Sequence, residues 1–187
     1  MARITRTIVF ALFGFVALTC AAAAQAPGGA SVPIRDPENT LFLDLQYGRV
    51  VIVLRPDLAP KHVERIKQLV RQRFYDGLVF HRVIDGFMAQ TGDPRGNGTG
   101  GSGQKIPAEF SREPFVRGTV GMARASDPNS GDSQFFIMFA ATPSLNGQYT
   151  VWGRVISGME FVDKIKRGEP PRDPDKIIRM QVAADAK

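Results

Sequence analysis

Cysteine is almost missing: the chain has one, Cys20. It lies inside an apolar amino-terminal run. A chain that loses this run has no thiol, forms no internal disulfide and offers neither a cysteine nucleophile nor a Cys-type zinc site. Histidine is nearly as scarce. His62 and His81 are the only two and stand apart in sequence, which excludes a histidine-rich metal site. Long hydrophobic runs are missing beyond the amino terminus, and the one there is shorter than the about 20 residues that a spanning helix needs. Charge of one sign is not concentrated either. The chain has 24 basic and 18 acidic residues. Two of the basic residues, Arg3 and Arg6, precede the apolar run, so the remainder carries 22 against 18, or +4. The one basic cluster, residues 61–73, has helical spacing and reads as a solvated helix face, so no nucleic-acid partner is expected.

What is present begins with a leader. Residues 1–26 combine Arg3 and Arg6, an apolar stretch over 8–17 and small residues ending in Ala24-Gln25-Ala26, the pattern of a secretion signal. This predicts export to a periplasm, with no stable membrane insertion once the signal is cleaved. Residues 27–39, rich in Gly, Pro and Ala, read as a flexible tether. Residues 40–187 suffice for one domain with its own core. There Leu41, Leu43 and Leu45 alternate with Phe42, Asp44 and Gln46. A β-branched run over 50–54 follows Tyr47-Gly48-Arg49, a hairpin signal. Further strand candidates cover 78–84, 119–123, 135–139, 151–155 and 177–182. A helix opens at Pro60, presents Val63, Ile66, Leu69 and Val70 on one face and stops before Gly77. A second helix spans about 158–166. Many antiparallel strands with only two helices predict a mainly β fold: a closed barrel capped by the helices, closure removing exposed edges.

GNGTGG (residues 96–101) matches the dinucleotide-binding pattern G-x-G-x-x-G only formally. No strand–helix unit surrounds it, and the glycines read as a tight loop. More informative are five blocks in order: FHRVIDGFMAQTGD (80–93), GNGTGG, GTVGMARA (118–125), DSQFFIMF (132–139) and LNGQYTVWGRV (145–155). This succession resembles the cyclophilins, peptidyl-prolyl cis-trans isomerases built on an eight-stranded antiparallel barrel with a helix at each end. The likeness covers about 40–182.

The resemblance implies a reaction in which no bond is made or broken. Rotation about a peptide C–N bond is opposed by about 18–20 kcal/mol because the nitrogen lone pair is shared with the carbonyl. No nucleophile, metal or cofactor is required. By resemblance, Arg82 donates to the prolyl nitrogen, while Gln90 holds it and touches the substrate backbone. Phe87, Met88, Phe136 and Leu145 form the proline pocket. Ala123 and Gln134 line the groove, Arg124 contributes backbone contacts, and Tyr149 walls the pocket. The implied partners are proline-containing peptides and partly unfolded proteins, with a monomer as the family default. His81, beside Arg82, points to the opposite face of its strand and is not expected to act as a base. This chain also departs from the best-known eukaryotic members. It has Ser144 for a Trp, Tyr149 for a His and Arg124 for an Asn, and the first change predicts weak cyclosporin binding. A module that binds proline segments without turning them over and a general holdase are the rival readings. Retention of Arg82 argues against the first, and the lack of an extra domain against the second.

Overall fold

The computed structural model describes residues 33–186. The expected signal over 1–26 and residues 27–32 of the expected tether lie outside the described residues. The end of the expected tether is part of the ordered domain. Asp36 accepts from the Asn39 N–H at 3.1 Å and caps a short 3-10 turn, Pro37–Asn39. Glu38 then binds Lys67 at 3.0 Å and Arg71 at 2.9 Å on the first helix. Part of the basic cluster on that helix is therefore neutralised by its own domain.

The elements run β1 (Thr40–Leu45), β2 (Gly48–Leu54), α1 (Pro60–Arg71), β3 (Arg82–Ile84), β4 (Met88–Thr91), β5 (Thr119–Met122), β6 (Phe135–Met138), β7 (Val151–Ser157), α2 (Met159–Val162) and β8 (Arg179–Val182). The eight strands form one antiparallel sheet in the order β3-β4-β6-β5-β7-β2-β1-β8. The expectation of full closure needs correction, because no ladder joins β3 to β8. Contacts there are isolated bridges, Val79 with Lys176 beside the two edges and Val83 of β3 with Gly168. Both edge strands are short, which limits the unpaired backbone they present.

Leu41, Leu43 and Leu45 point inward, as their alternation requires, and α1 buries Val63, Ile66, Leu69 and Val70 against the same core. Trp152 and Phe135 meet edge to face inside it, with centroids 5.3 Å apart. Ala59 precedes α1 and offers no capping oxygen. Glu109 supplies one from a distant loop, accepting from the N–H groups of Lys61 at 3.1 Å and His62 at 3.0 Å. A carboxylate there also complements the positive end of the helix dipole. The second helix is shorter than expected, ending at Val162, although Ile165 beyond it is still buried.

A second, smaller apolar cluster lies apart from this core. It contains Met88, Phe115, Phe136, Met138 and Val151, with Phe87, Leu145 and Tyr149 packed on it half-buried. Strand alternation is the cause. Ala89 and Ile137 face the main core, so their neighbours Met88, Phe136 and Met138 face the other way.

Candidate active site

Register brings the site together. Arg82 on β3 pairs with Gln90 on β4, Gln90 pairs with Phe136 on β6, and Phe136 pairs with Gly121 on β5. Four strands thus place a cation, an amide, a ring and a bare backbone position in one row. Gly121 is bare for a packing reason: a Cβ there would stand 2.6 Å from both Phe115 Cε1 and Phe136 Cζ. Without a side chain at 121, Phe136 lies across the sheet and stacks on Phe115, with centroids 5.8 Å apart and planes at 27°. Tyr149 meets the edge of Phe136 at 5.8 Å.

These rings floor a hollow of about 220 Å³ lined by Arg82, Phe87, Met88, Gln90, Ala123, Arg124, Phe136, Leu145 and Tyr149. Nine of the ten residues singled out from sequence converge there. The tenth, Gln134, lines a neighbouring hollow of about 350 Å³, which shares Gln90, Ala123 and Arg124 and adds Lys105, Ser130 and Asp132. The side chain of Gln134 is committed to structure. Its Nε2 donates to Gly98 O at 3.0 Å and Gly100 O at 2.8 Å, and its Oε1 accepts from Gln90 Nε2 at 2.9 Å. Gln90 Oε1 in turn faces Arg82 Nη1 at 3.5 Å. A chain of amides therefore runs from the glycine loop to the guanidinium. The loop is shaped by buried Asp93, which accepts from the N–H groups of Arg95, Asn97 and Gly98. Burial tends to raise that carboxyl, but the loop N–H groups hold it below the ordinary aspartate range. GNGTGG is thus part of a side-chain scaffold, and no helix follows it.

His81 is buried, does not line the hollow, and finds no hydrogen-bond partner for either ring nitrogen among the described residues. Burial pushes its pKa down. Arg124 folds back over Tyr149, its Cζ 4.5 Å from the ring centre, with its N–H groups on the carbonyls of Gln148 and Ala125. Ser144 is exposed beside Leu145. Sequence reading missed two contributors. Phe115 lies beneath the floor, and Glu169 binds Arg82. Neither falls in a block that marked the site, and both reach it through tertiary contacts.

Among the described residues no group of His, Cys, Asp and Glu is arranged to hold a metal ion, and no helix is long and apolar enough to cross a membrane. The geometry offers a cation beside an apolar, ring-floored recess, suited to binding a small ring and polarising an atom attached to it.

Comparison with known proteins agrees. The sequence model of the family described as "Cyclophilin type peptidyl-prolyl cis-trans isomerase/CLD" matches residues 41–182. A probable peptidyl-prolyl cis-trans isomerase of Brucella suis is 56% identical over 190 residues, covering 92% of this chain and 94% of the relative. Peptidyl-prolyl cis-trans isomerase B of Bacillus subtilis is 43% identical over 130 residues, covering 68% and 90%. Among solved structures, a cyclophilin from Hirschia baltica superposes with a TM-score of 0.75 at 30% identity, covering 81% of this chain and 76% of that one. A Cryptosporidium parvum cyclophilin, solved in the presence of the dipeptide Ala-Pro, gives 0.71 at 30% identity, covering 76% and 98%. With that identity over nearly its full length, the chain belongs to the cyclophilin-type peptidyl-prolyl cis-trans isomerases.

Proposed function

We propose that the hollow beneath Arg82 is where this isomerase turns X–Pro bonds, and that Arg82 is the donor that lowers the barrier. The observation that carries this is the placement of the guanidinium beside the ring-floored recess. The volume, about 220 Å³, is below the roughly 300–1,000 Å³ of pockets for drug-sized ligands and suits a single ring. Phe87, Met88, Phe136 and Leu145 grip the proline. An N–H of Arg82 donates to the prolyl nitrogen and draws its lone pair out of conjugation with the carbonyl. The C–N bond then has single-bond character and rotates, after which the nitrogen rejoins the amide. A guanidinium suits this role because it is a rigid fork of donors with permanent charge. Donors already in place where charge develops need no reorganisation as the hydrogen bond forms. Gln90 holds the guanidinium, and Ala123 and Arg124 lie where an extended peptide would pass.

The substrates are proline-containing segments of partly unfolded proteins, and the Ala-Pro present with the Cryptosporidium relative is of that chemistry. The signal-like pattern of residues 1–26 supports action in a periplasm after export, and the family resemblance supports a monomer.

A protease-coupled proline assay on wild type and Arg82→Ala tests the mechanism. Loss of one donor aimed at a transition state costs about 3 kcal/mol, or roughly a hundredfold in kcat/KM, while thermal melting stays unchanged. Wild-type turnover in a folded Arg82→Ala removes Arg82 from the mechanism.

A further inference from the structure

Arg82 is held from a second side. Glu169 Oε2 accepts from Arg82 Nε at 2.7 Å. The backbone prepares this contact. Gly168 and Val83 form an isolated antiparallel bridge and exchange N–H···O bonds of 2.8 Å in both directions. The residues next to that bridge, Glu169 and Arg82, are thereby set side by side. Gly168 has φ +146°, and a Cβ there would stand 2.6 Å from Pro171 Cα, so the bridge requires glycine. The segment is pinned further back as well. Arg167 Nε donates to Asp85 Oδ1 at 3.0 Å and the Lys166 N–H to Asp175 Oδ2 at 2.8 Å.

The donors of Arg82 now sort by direction. Nε is taken by Glu169. Nη1 faces Gln90 at 3.5 Å, a weak contact by itself. Nη2 has no partner among the described residues. Because a guanidinium is planar, fixing Nε and Nη1 fixes where Nη2 points. The pair is exposed, at 42% for Arg82 and 50% for Glu169. Exposed ion pairs contribute little to stability, so stability alone does not account for a loop anchored this closely to the arginine.

We infer that Glu169 is a positioning residue for the isomerase: it fixes the plane of the Arg82 guanidinium so that Nη2 is presented to the prolyl nitrogen. This rests on the reading of Arg82 as donor. The test is a double-mutant cycle in the proline assay on the full chain, with melting followed in parallel. Glu169→Ala lowers kcat on the order of tenfold, as misplacement of a catalytic group does, and leaves KM and melting near wild type. Glu169→Gln keeps an acceptor for the Nε–H and recovers most of the loss. In the Arg82→Ala background, Glu169→Ala has no further effect, because the group it positions is gone. Wild-type kcat in Glu169→Ala, an equal loss in Glu169→Gln, or an additive loss in the double variant each overturns the inference while leaving Arg82 as donor intact. A loss that follows a lowered melting temperature also overturns it, in favour of a structural role. If Arg82→Ala alone keeps wild-type activity, it is the donor reading that fails, and the positioning role fails with it.

Discussion

Gly121 shows how a residue without a side chain shapes the recess. Its Cα faces Phe115 and Phe136, and an added methyl group would meet both rings at 2.6 Å. Those rings are packed on each other and on Tyr149, so they have little room to yield. Gly121→Ala therefore overpacks the floor at a cost of about 1–3 kcal/mol and tilts Phe136 out of place. Urea unfolding together with the proline assay checks this. The expected result is a lower midpoint with raised KM, and unchanged values of both would show that the floor is pliable. Ser144 makes the opposite kind of test, since it leaves an exposed position beside Leu145 where eukaryotic relatives place a Trp. Cyclosporin should inhibit at micromolar rather than nanomolar concentration, and Ser144→Trp should tighten it, each tenfold gain corresponding to about 1.4 kcal/mol. Nanomolar inhibition of the wild type would mean that Ser144 does not occupy the position that the resemblance gives it. At this scale the sequence was highly legible. Ordered blocks marked nine residues that share one hollow. Glu169, 87 residues from Arg82, was not legible, because its role depends on a bridge that no local pattern announces.

Elements are held at their ends by groups far away in sequence, and this makes stability depend on pH. His62 is buried at the start of α1, with Nδ1 2.6 Å from Glu109 Oε2. Burial pushes its pKa down, an effect that the neighbouring carboxylate only partly offsets. His81 is likewise pushed down by burial, with the Asp93 charge opposing and the Arg82 charge assisting. A histidine with a depressed folded pKa takes up its proton more readily when unfolded, so unfolding binds protons and stability rises with pH. The contribution is whole above the unfolded value of about 6.5 and declines as pH falls below it. Each proton changes stability by at most about 1.4 kcal/mol per pH unit. Glu109 acts lower, near and below its unfolded value. Burial raises its carboxyl, but the His62 ring and the N–H groups of His62 and Lys61 bring it below the ordinary range. The melting temperature should therefore fall between pH 7 and 5.5, and less steeply in His62→Gln/His81→Gln. A flat wild-type profile over that window would show that the two histidines are not held neutral. Legibility also differed among elements. The alternation in β1 and the apolar face of α1 were plain, because one side of each is buried. β4, Met-Ala-Gln-Thr, was not recognised as a separate strand. It is four residues long and owes its strand character to pairing with β3 and β6. The barrel was expected to close, but the edge segments meet only by single bridges, a property of global curvature that no strand encodes alone.

For the whole molecule, the remaining proposal concerns place and clients. If residues 1–26 act as the proposed secretion signal, the chain is exported, and its only cysteine, Cys20, is removed with them. A mature chain without thiols neither forms nor loses disulfides, so its activity should not respond to oxidants or reductants. Exported proteins reach the envelope unfolded, and their X–Pro bonds relax over about 10–100 s without a catalyst, which gives an isomerase there a rate to improve. A small recess and the hollow adjoining it read only a few residues around proline. Binding should accordingly be weak and release fast, as repeated action on many clients requires. Catalytic amounts should accelerate the refolding of a proline-limited protein, to the same extent with and without dithiothreitol, and Arg82→Ala should abolish that acceleration. Fractionation of expressing cells should place a shortened, soluble form in the periplasm. Full-length protein in the cytoplasm would refute export. Acceleration only at stoichiometric amounts, and undiminished by Arg82→Ala, would refute catalysis as the basis of folding assistance. A holdase lowers the concentration of aggregating chains in proportion to its own amount, whereas a catalyst changes the rate constant of isomerisation and is regenerated after each turn.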